Sequence, residues 1–280
     1  MKVTIYTPDS PLSNPGRLFR DMLDDLCGSR ELAWRLIVRN LSAQYRQTAL
    51  GYVWAFLPPI VTSAAFLFLG KSGVLNVGYT ELPMAAYLLI STTLWQLFAD
   101  AVNAPLRVCV ASKTMLTKIK FPREALVLAG MGESLVSFMV RMLLIAGTML
   151  WFQIPLHATI LLFPLGVLAL LAFGTVVGVL LTPIGILYED VSKSLPIILT
   201  FWMMLTPVVY APANTGLRAR LQDLNPATPL LGATRDWLTT GTSPYLGTFL
   251  IVTVATLILL AAGWILYRIA MPHLIARLGG

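Results

Sequence analysis

The chain holds 280 residues, 57% of them apolar and only 12% charged, against roughly 45–50% and about 25% in soluble domains. Mean hydropathy is +0.76 and the formal net charge is +7. This balance excludes a disordered chain, two cysteines exclude a disulfide scaffold, and an all-α integral membrane protein fits best.

In chain order, residues 1–30 carry Asp9, Asp21, Asp24 and Asp25 and no apolar run. No cleavable signal peptide is visible there, so the N-terminus is expected to stay attached and cytoplasmic. Residues 30–47 place Ala33, Leu36, Ile37 and Leu41 on one helical face, with Glu31, Arg35, Arg39, Ser42 and Arg46 on another. This is an amphipathic interface helix leading into a span. Six apolar runs then read as transmembrane helices, each needing about 20 residues. They run from about Tyr52 to Gly70, Met84 to Ala99, Ala125 to Phe152, Ala158 to Leu187, Leu195 to Ala211 and Leu246 to Tyr267. The resulting domains are a cytoplasmic segment over 1–51, a six-span membrane domain over 52–268 and a cytoplasmic tail over 269–280.

The basic residues set the orientation. Fifteen of the 20 Lys and Arg residues fall in the N-terminal segment, the second and fourth loops and the tail. Four fall on the other side, and Arg141 lies inside the third span. The positive-inside rule places both ends in the cytoplasm. It accounts for most of the +7 charge without a nucleic-acid partner. Cys27 and Cys109 share that side and are expected to be reduced thiols.

Two connections stand out. The basic second loop ends in Phe121-Pro122-Arg123-Glu124 and suits a short coupling helix, with Glu124 opening the next span. The fourth loop places Glu189 and Asp190 where Asp190 or Ser192 would cap the fifth span. Glu133 and Arg141 in the third span stand eight residues apart, about 12 Å along a helix, so each needs a partner elsewhere. Glu133 is expected to snorkel to the cytoplasmic side, and Arg141 to meet either another span or a substrate. Trp54, Trp202, Met204 and Tyr210 read either as interfacial anchors or as an aromatic path for sugars. Gly70-Lys71-Ser72 imitates the end of a phosphate-binding loop, but Ala65 stands where a glycine is required. The sequence offers no nucleotide site, metal cluster or catalytic triad.

Specific motifs then bear a resemblance. The run from Tyr45 to Ala55 resembles the opening of the first span of type-2 ABC exporter permeases, in the branch that exports O-antigen, capsule and teichoic-acid polymers. Lys118-Ile119-Lys120-Phe121-Pro122-Arg123 is similar to that branch's second loop. Leu187-Tyr188-Glu189-Asp190-Val191, Leu205-Thr206-Pro207-Val208-Val209-Tyr210 and Leu224-Asn225-Pro226-Ala227-Thr228-Pro229 resemble its fourth loop, fifth span and outer-loop motif. Glu189 departs from the arginine often found in the fourth loop.

The resemblance implies a homodimeric permease bound to two cytoplasmic ATPase subunits, with ATP and Mg on those subunits and no cofactor on this chain. It implies a polyprenyl-diphosphate-linked glycan as substrate, short outer gate helices between spans five and six, and the bacterial inner membrane as location. On this reading Arg35, Arg39 and Arg46 meet the lipid diphosphate. Trp54, Arg141, Trp202, Met204 and Tyr210 line the channel. Lys118, Lys120, Phe121, Pro122, Arg123, Glu189 and Asp190 contact the ATPase. The alternative within the family is a drug or small-molecule exporter. An ion-coupled carrier is disfavoured by the scarcity of buried acids, and a membrane glycosyltransferase by the lack of a paired-acid or metal site.

Overall fold

The computed structural model describes residues 15–278 apart from 47, 75–77, 79, 119–120 and 214. The described elements are ten α-helices and two short 3₁₀ turns. The helices are α1 (Pro15–Arg46), α2 (Leu57–Lys71), α3 (Met84–Ala111), α4 (Lys113–Lys118), α5 (Glu124–Trp151), α6 (Phe163–Leu187), α7 (Glu189–Leu205), α8 (Gly216–Leu224), α9 (Ala227–Thr239) and α10 (Leu246–Leu278).

Four segments among the described residues are long and apolar enough to cross a membrane: α3, α5, α6 with its leading 3₁₀ turn, and α10. Six spans were expected. The first expected span corresponds to a 3₁₀ turn over Gly51–Ala55 followed by the 15-residue apolar α2. Pro58 sets the start of α2, because its fixed φ suits a first turn, and Gly51 enters the 3₁₀ turn at φ +49°, a conformation side chains resist. The fifth expected span, α7, starts at Glu189 and ends before Thr206-Pro207. Its 17 residues reach about 25 Å.

The core is built on α3, whose faces pack against α2, α5, α6, α7 and α9. Gly174 and Gly178 of α6 lie against the α3 backbone, where a methyl group would strike the carbonyl oxygens of Phe98 and Val102. Small residues of this kind let apolar helices approach closely when dispersion is the main attraction. The opposite exposure pattern marks α10 and one face of α5. Met139, Leu143, Leu150, Ile251, Val254 and Ile258 are all exposed, as suits helices whose solvent is hydrocarbon.

Polar contacts mark two ends of the bundle. At one end Arg268 of α10 bonds Asp25 of α1 at 2.7 Å and Glu124 of α5 at 3.1 Å. The Tyr267 hydroxyl donates to the Arg123 carbonyl there and lies 3.4 Å from the Cys109 sulfur. At the other end the Tyr87 hydroxyl meets the Pro207 and Tyr210 carbonyls. Every residue of α9 is buried at that end.

Candidate functional site

The amphipathic helix comes first. The expected segment over 30–47 is the C-terminal half of the 32-residue α1. Its apolar face is as expected: Ala33, Leu36 and Ile37 are buried, and Ile37 fits over Gly132 of α5. Arg35 and Arg39 lie on the exposed face. Arg35 bonds Glu31 at 2.7 Å, with both side chains solvent-exposed. The Arg39 Nε donates to the Asn40 side-chain oxygen at 3.0 Å. The side chain of Arg46 lies outside the described residues.

Asn40 links this face to the interior. Its amide donates to Glu133 Oε1 at 2.6 Å, and Arg107 of α3 donates to Glu133 Oε2 at 3.0 Å. Glu133 is 4% exposed. It does not snorkel as expected, because two donors already satisfy its charge inside the bundle.

Arg141 also finds its partner in another helix. Its Nη1 donates to Asp100 of α3 at 2.6 Å, and its Nε donates to the Ala55 carbonyl at 3.0 Å. Arg141 is 6% exposed. The pair thus ties α3 and α5 to the turn between α1 and α2, and that turn holds Tyr52, Val53 and Trp54 at the surface.

Trp202 sits in an aromatic cluster. Its ring meets Trp95, Phe98 and Phe173 at centroid distances of 6.4, 5.1 and 6.2 Å. Its Nε1 donates to Asn225, and the Asn225 amide donates to Thr206 at the end of α7. Asn225 therefore fastens α7 to the start of α9. Met204 is exposed, and its carbonyl accepts the Tyr210 hydroxyl. Arg218 of α8 lies 5.5 Å over the Tyr210 ring.

Hydropathy alone missed a second cluster. Arg235 of α9 stacks on Tyr87 at 4.4 Å and bonds Asp236 at 3.2 Å. Ser243 donates to the other Asp236 oxygen. Burial raises the Asp236 carboxyl above its ordinary range, and the Arg235 charge and the Ser243 hydroxyl oppose that rise. The signal for it in the sequence is the adjacent Arg235-Asp236 pair in an otherwise apolar helical stretch.

The second-loop residues divide. Lys118 ends α4 and is exposed, Phe121 packs partly against the core, and Pro122 and Arg123 precede α5. Lys120 lies outside the described residues. Glu189 and Asp190 occupy the exposed first turn of α7. Tyr188 holds the cap position and no side chain caps this helix, so the expected cap by Asp190 or Ser192 is not formed. The acids instead sit where the helix dipole favours negative charge, and Glu189 reaches Lys193 at 3.5 Å.

Comparison with known proteins gives a consistent picture. The sequence pattern of the ABC-2 type transporter family matches residues 31–239. The chain is 26% identical over 215 residues to the O-antigen export system permease protein RfbA of Myxococcus xanthus, covering 75% of this chain and 81% of that one. It is 24% identical over 212 residues to the protein of the same name from Klebsiella pneumoniae, covering 74% and 80%.

Proposed function

The chain belongs to the ABC-2 type transporter family, and from that premise we propose that it is the permease subunit of an ATP-driven exporter of O-antigen. The observation that carries this reading is the family match over residues 31–239 together with relatives named as O-antigen export permeases. The four long apolar helices agree with a multi-pass membrane subunit. ATP hydrolysis belongs to a separate ATPase subunit.

The finer reading has two copies of this chain forming the conduit above two ATPases in the bacterial inner membrane, with both chain ends in the cytoplasm. The substrate is a glycan carried on a polyprenyl diphosphate. Six spans follow if α2 and α7 also cross where the bilayer thins to match their shorter length. The end of the bundle that carries Asp25, Glu124 and Arg268 then faces the cytoplasm, and α8 and α9 form the outer gate. Arg39 on the exposed face of α1, with Arg35 and Arg46, offers guanidinium forks to the lipid diphosphate. Lys118, Lys120, Phe121, Pro122 and Arg123 rest on the ATPase, as do Glu189 and Asp190. Closure of the ATPases on ATP moves α4 and the start of α7. The α3 and α7 bodies transmit that motion to the wall near Trp54, Trp202, Met204 and Tyr210. Arg141 contributes by holding the turn that presents Trp54.

The test is ATP hydrolysis by the purified permease–ATPase complex in lipid nanodiscs. Added lipid-linked glycan is expected to stimulate turnover. Stimulation by apolar drugs, with none by the glycan lipid, would overturn the assignment in favour of a small-molecule exporter.

A further inference from the structure

Beside the arginine face of α1 lies a cleft of ≈ 420 Å³ between α1 and α3, floored by α5. Asn40, Gln44, Arg107 and Glu133 supply its polar lining, and the exposed Ala43 and Ala111 supply apolar surface. The volume falls within the roughly 300–1,000 Å³ of small-molecule sites.

Its chemistry is specific. Glu133 and Arg107 stand 3.0 Å apart and cancel each other's charge, so the cleft has no strong preference for an anion. Each Glu133 oxygen accepts one bond from the protein and has a lone pair left. Arg107 spends one donor on Glu133, and its side chain is half exposed. Gln44 stands one turn beyond Asn40 and is an exposed lining residue whose amide carries both donor and acceptor atoms. Planar carboxylate, guanidinium and amide groups match the adjacent hydroxyls of a sugar ring, each of which donates and accepts. The small apolar patch matches the ring's C–H face.

The position is equally specific. Arg39 donates to the same Asn40 whose amide holds Glu133. A phosphate on the exposed arginine face would therefore lie one residue away from the cleft.

We propose that this cleft holds the sugar residue joined directly to the lipid diphosphate. The proposal rests on the lipid-diphosphate reading given above and adds a recognition site for the glycan's reducing end. Specificity for that first sugar would then reside in Asn40, Gln44, Arg107 and Glu133, apart from the rest of the polymer.

The experiment compares two probes on the permease–ATPase complex in nanodiscs: a polyprenyl diphosphate, and the same lipid bearing one hexose. The sugar-bearing lipid is expected to bind about tenfold more tightly, as one or two hydrogen bonds to charged groups would give. In Glu133→Gln the two Kd values should converge. Ala43→Leu, which fills the cleft at an exposed helix position, should make them converge without touching a charge. Equal Kd values in the unaltered complex would overturn the cleft assignment alone, as would a tenfold difference that survives both variants. Failure of both lipids to bind would overturn the lipid-diphosphate reading and this site with it.

Discussion

Replacement of Arg141 by Met tests the buried frame of the bundle most sharply. Arg141 and Asp100 form a 2.6 Å pair whose side chains are 7% and 20% exposed. Removing one partner of a buried pair leaves an uncompensated charge and costs about 3–5 kcal/mol. Asp100 keeps the Gln96 amide at 2.9 Å, which places the loss nearer the lower bound. The Ala55 carbonyl also loses its donor, adding about 1 kcal/mol. A total near 4 kcal/mol is expected for Arg141→Met, and a similar loss for Asp100→Asn, which strands the cation. The assay is denaturant unfolding of the purified protein in micelles, run as a double-mutant cycle. Asp100→Asn combined with Arg141→Met removes both charges, so its loss should fall short of the summed single losses by about 2 kcal/mol or more. Strict additivity would refute the pairing. So would single losses below about 1 kcal/mol, the range of solvent-exposed pairs.

Three further outcomes follow from the same geometry. Arg39→Ala with Arg46→Ala should lower export of lipid-linked glycan several-fold while membrane insertion stays intact, measured by surface polymer and membrane-fraction immunoblot; unchanged export would remove the arginine face from substrate handling. Phe121→Ala with Arg123→Ala should weaken co-purification of the ATPase with the permease, and full retention would sink the coupling-loop assignment. Gly178→Ala should destabilise by about 1–3 kcal/mol, because the added methyl meets the Val102 carbonyl and Pro105 across the α3–α6 contact. Gly147→Ala, with open space at the same atom, should leave Tm unchanged or raised; equal effects at the two glycines would contradict the close α3–α6 packing.

Much of the fold was legible because uninterrupted apolar runs carry their own length. The spans expected over 125–152 and 158–187 lie within a residue of the observed segments Glu124–Trp151 and Ala158–Leu187. Reading failed where a polar residue finds a partner that lies far away in sequence. The second span was expected to stop at Ala99, yet α3 continues to Ala111. Asp100, Asn103 and Arg107 interrupt the hydropathy, but Arg141, the Ala99 carbonyl and Glu133 satisfy them. Likewise α10 runs past Tyr267 because Arg268 meets Asp25 and Glu124.

The site shows the same division. Periodicity alone gave the buried face of α1, Ala33, Leu36 and Ile37, and left Arg35 and Arg39 outside. The separation of Glu133 and Arg141 correctly required other partners for both, but no local pattern names Arg107 or Asp100 as those partners. Trp202 looked like an anchor or a channel wall. Its contacts with Trp95, Phe98 and Phe173 join three helices, and one-dimensional spacing cannot express such a cluster.

The central claim is export of a lipid-linked polysaccharide. Deleting this protein from its native host, and scoring surface O-antigen alongside lipid-linked glycan inside the cell, tests it most directly. The predicted result is loss of surface polymer with accumulation of the lipid-linked form in the inner membrane, restored by the intact chain. A normal surface coat with no accumulated intermediate would contradict it.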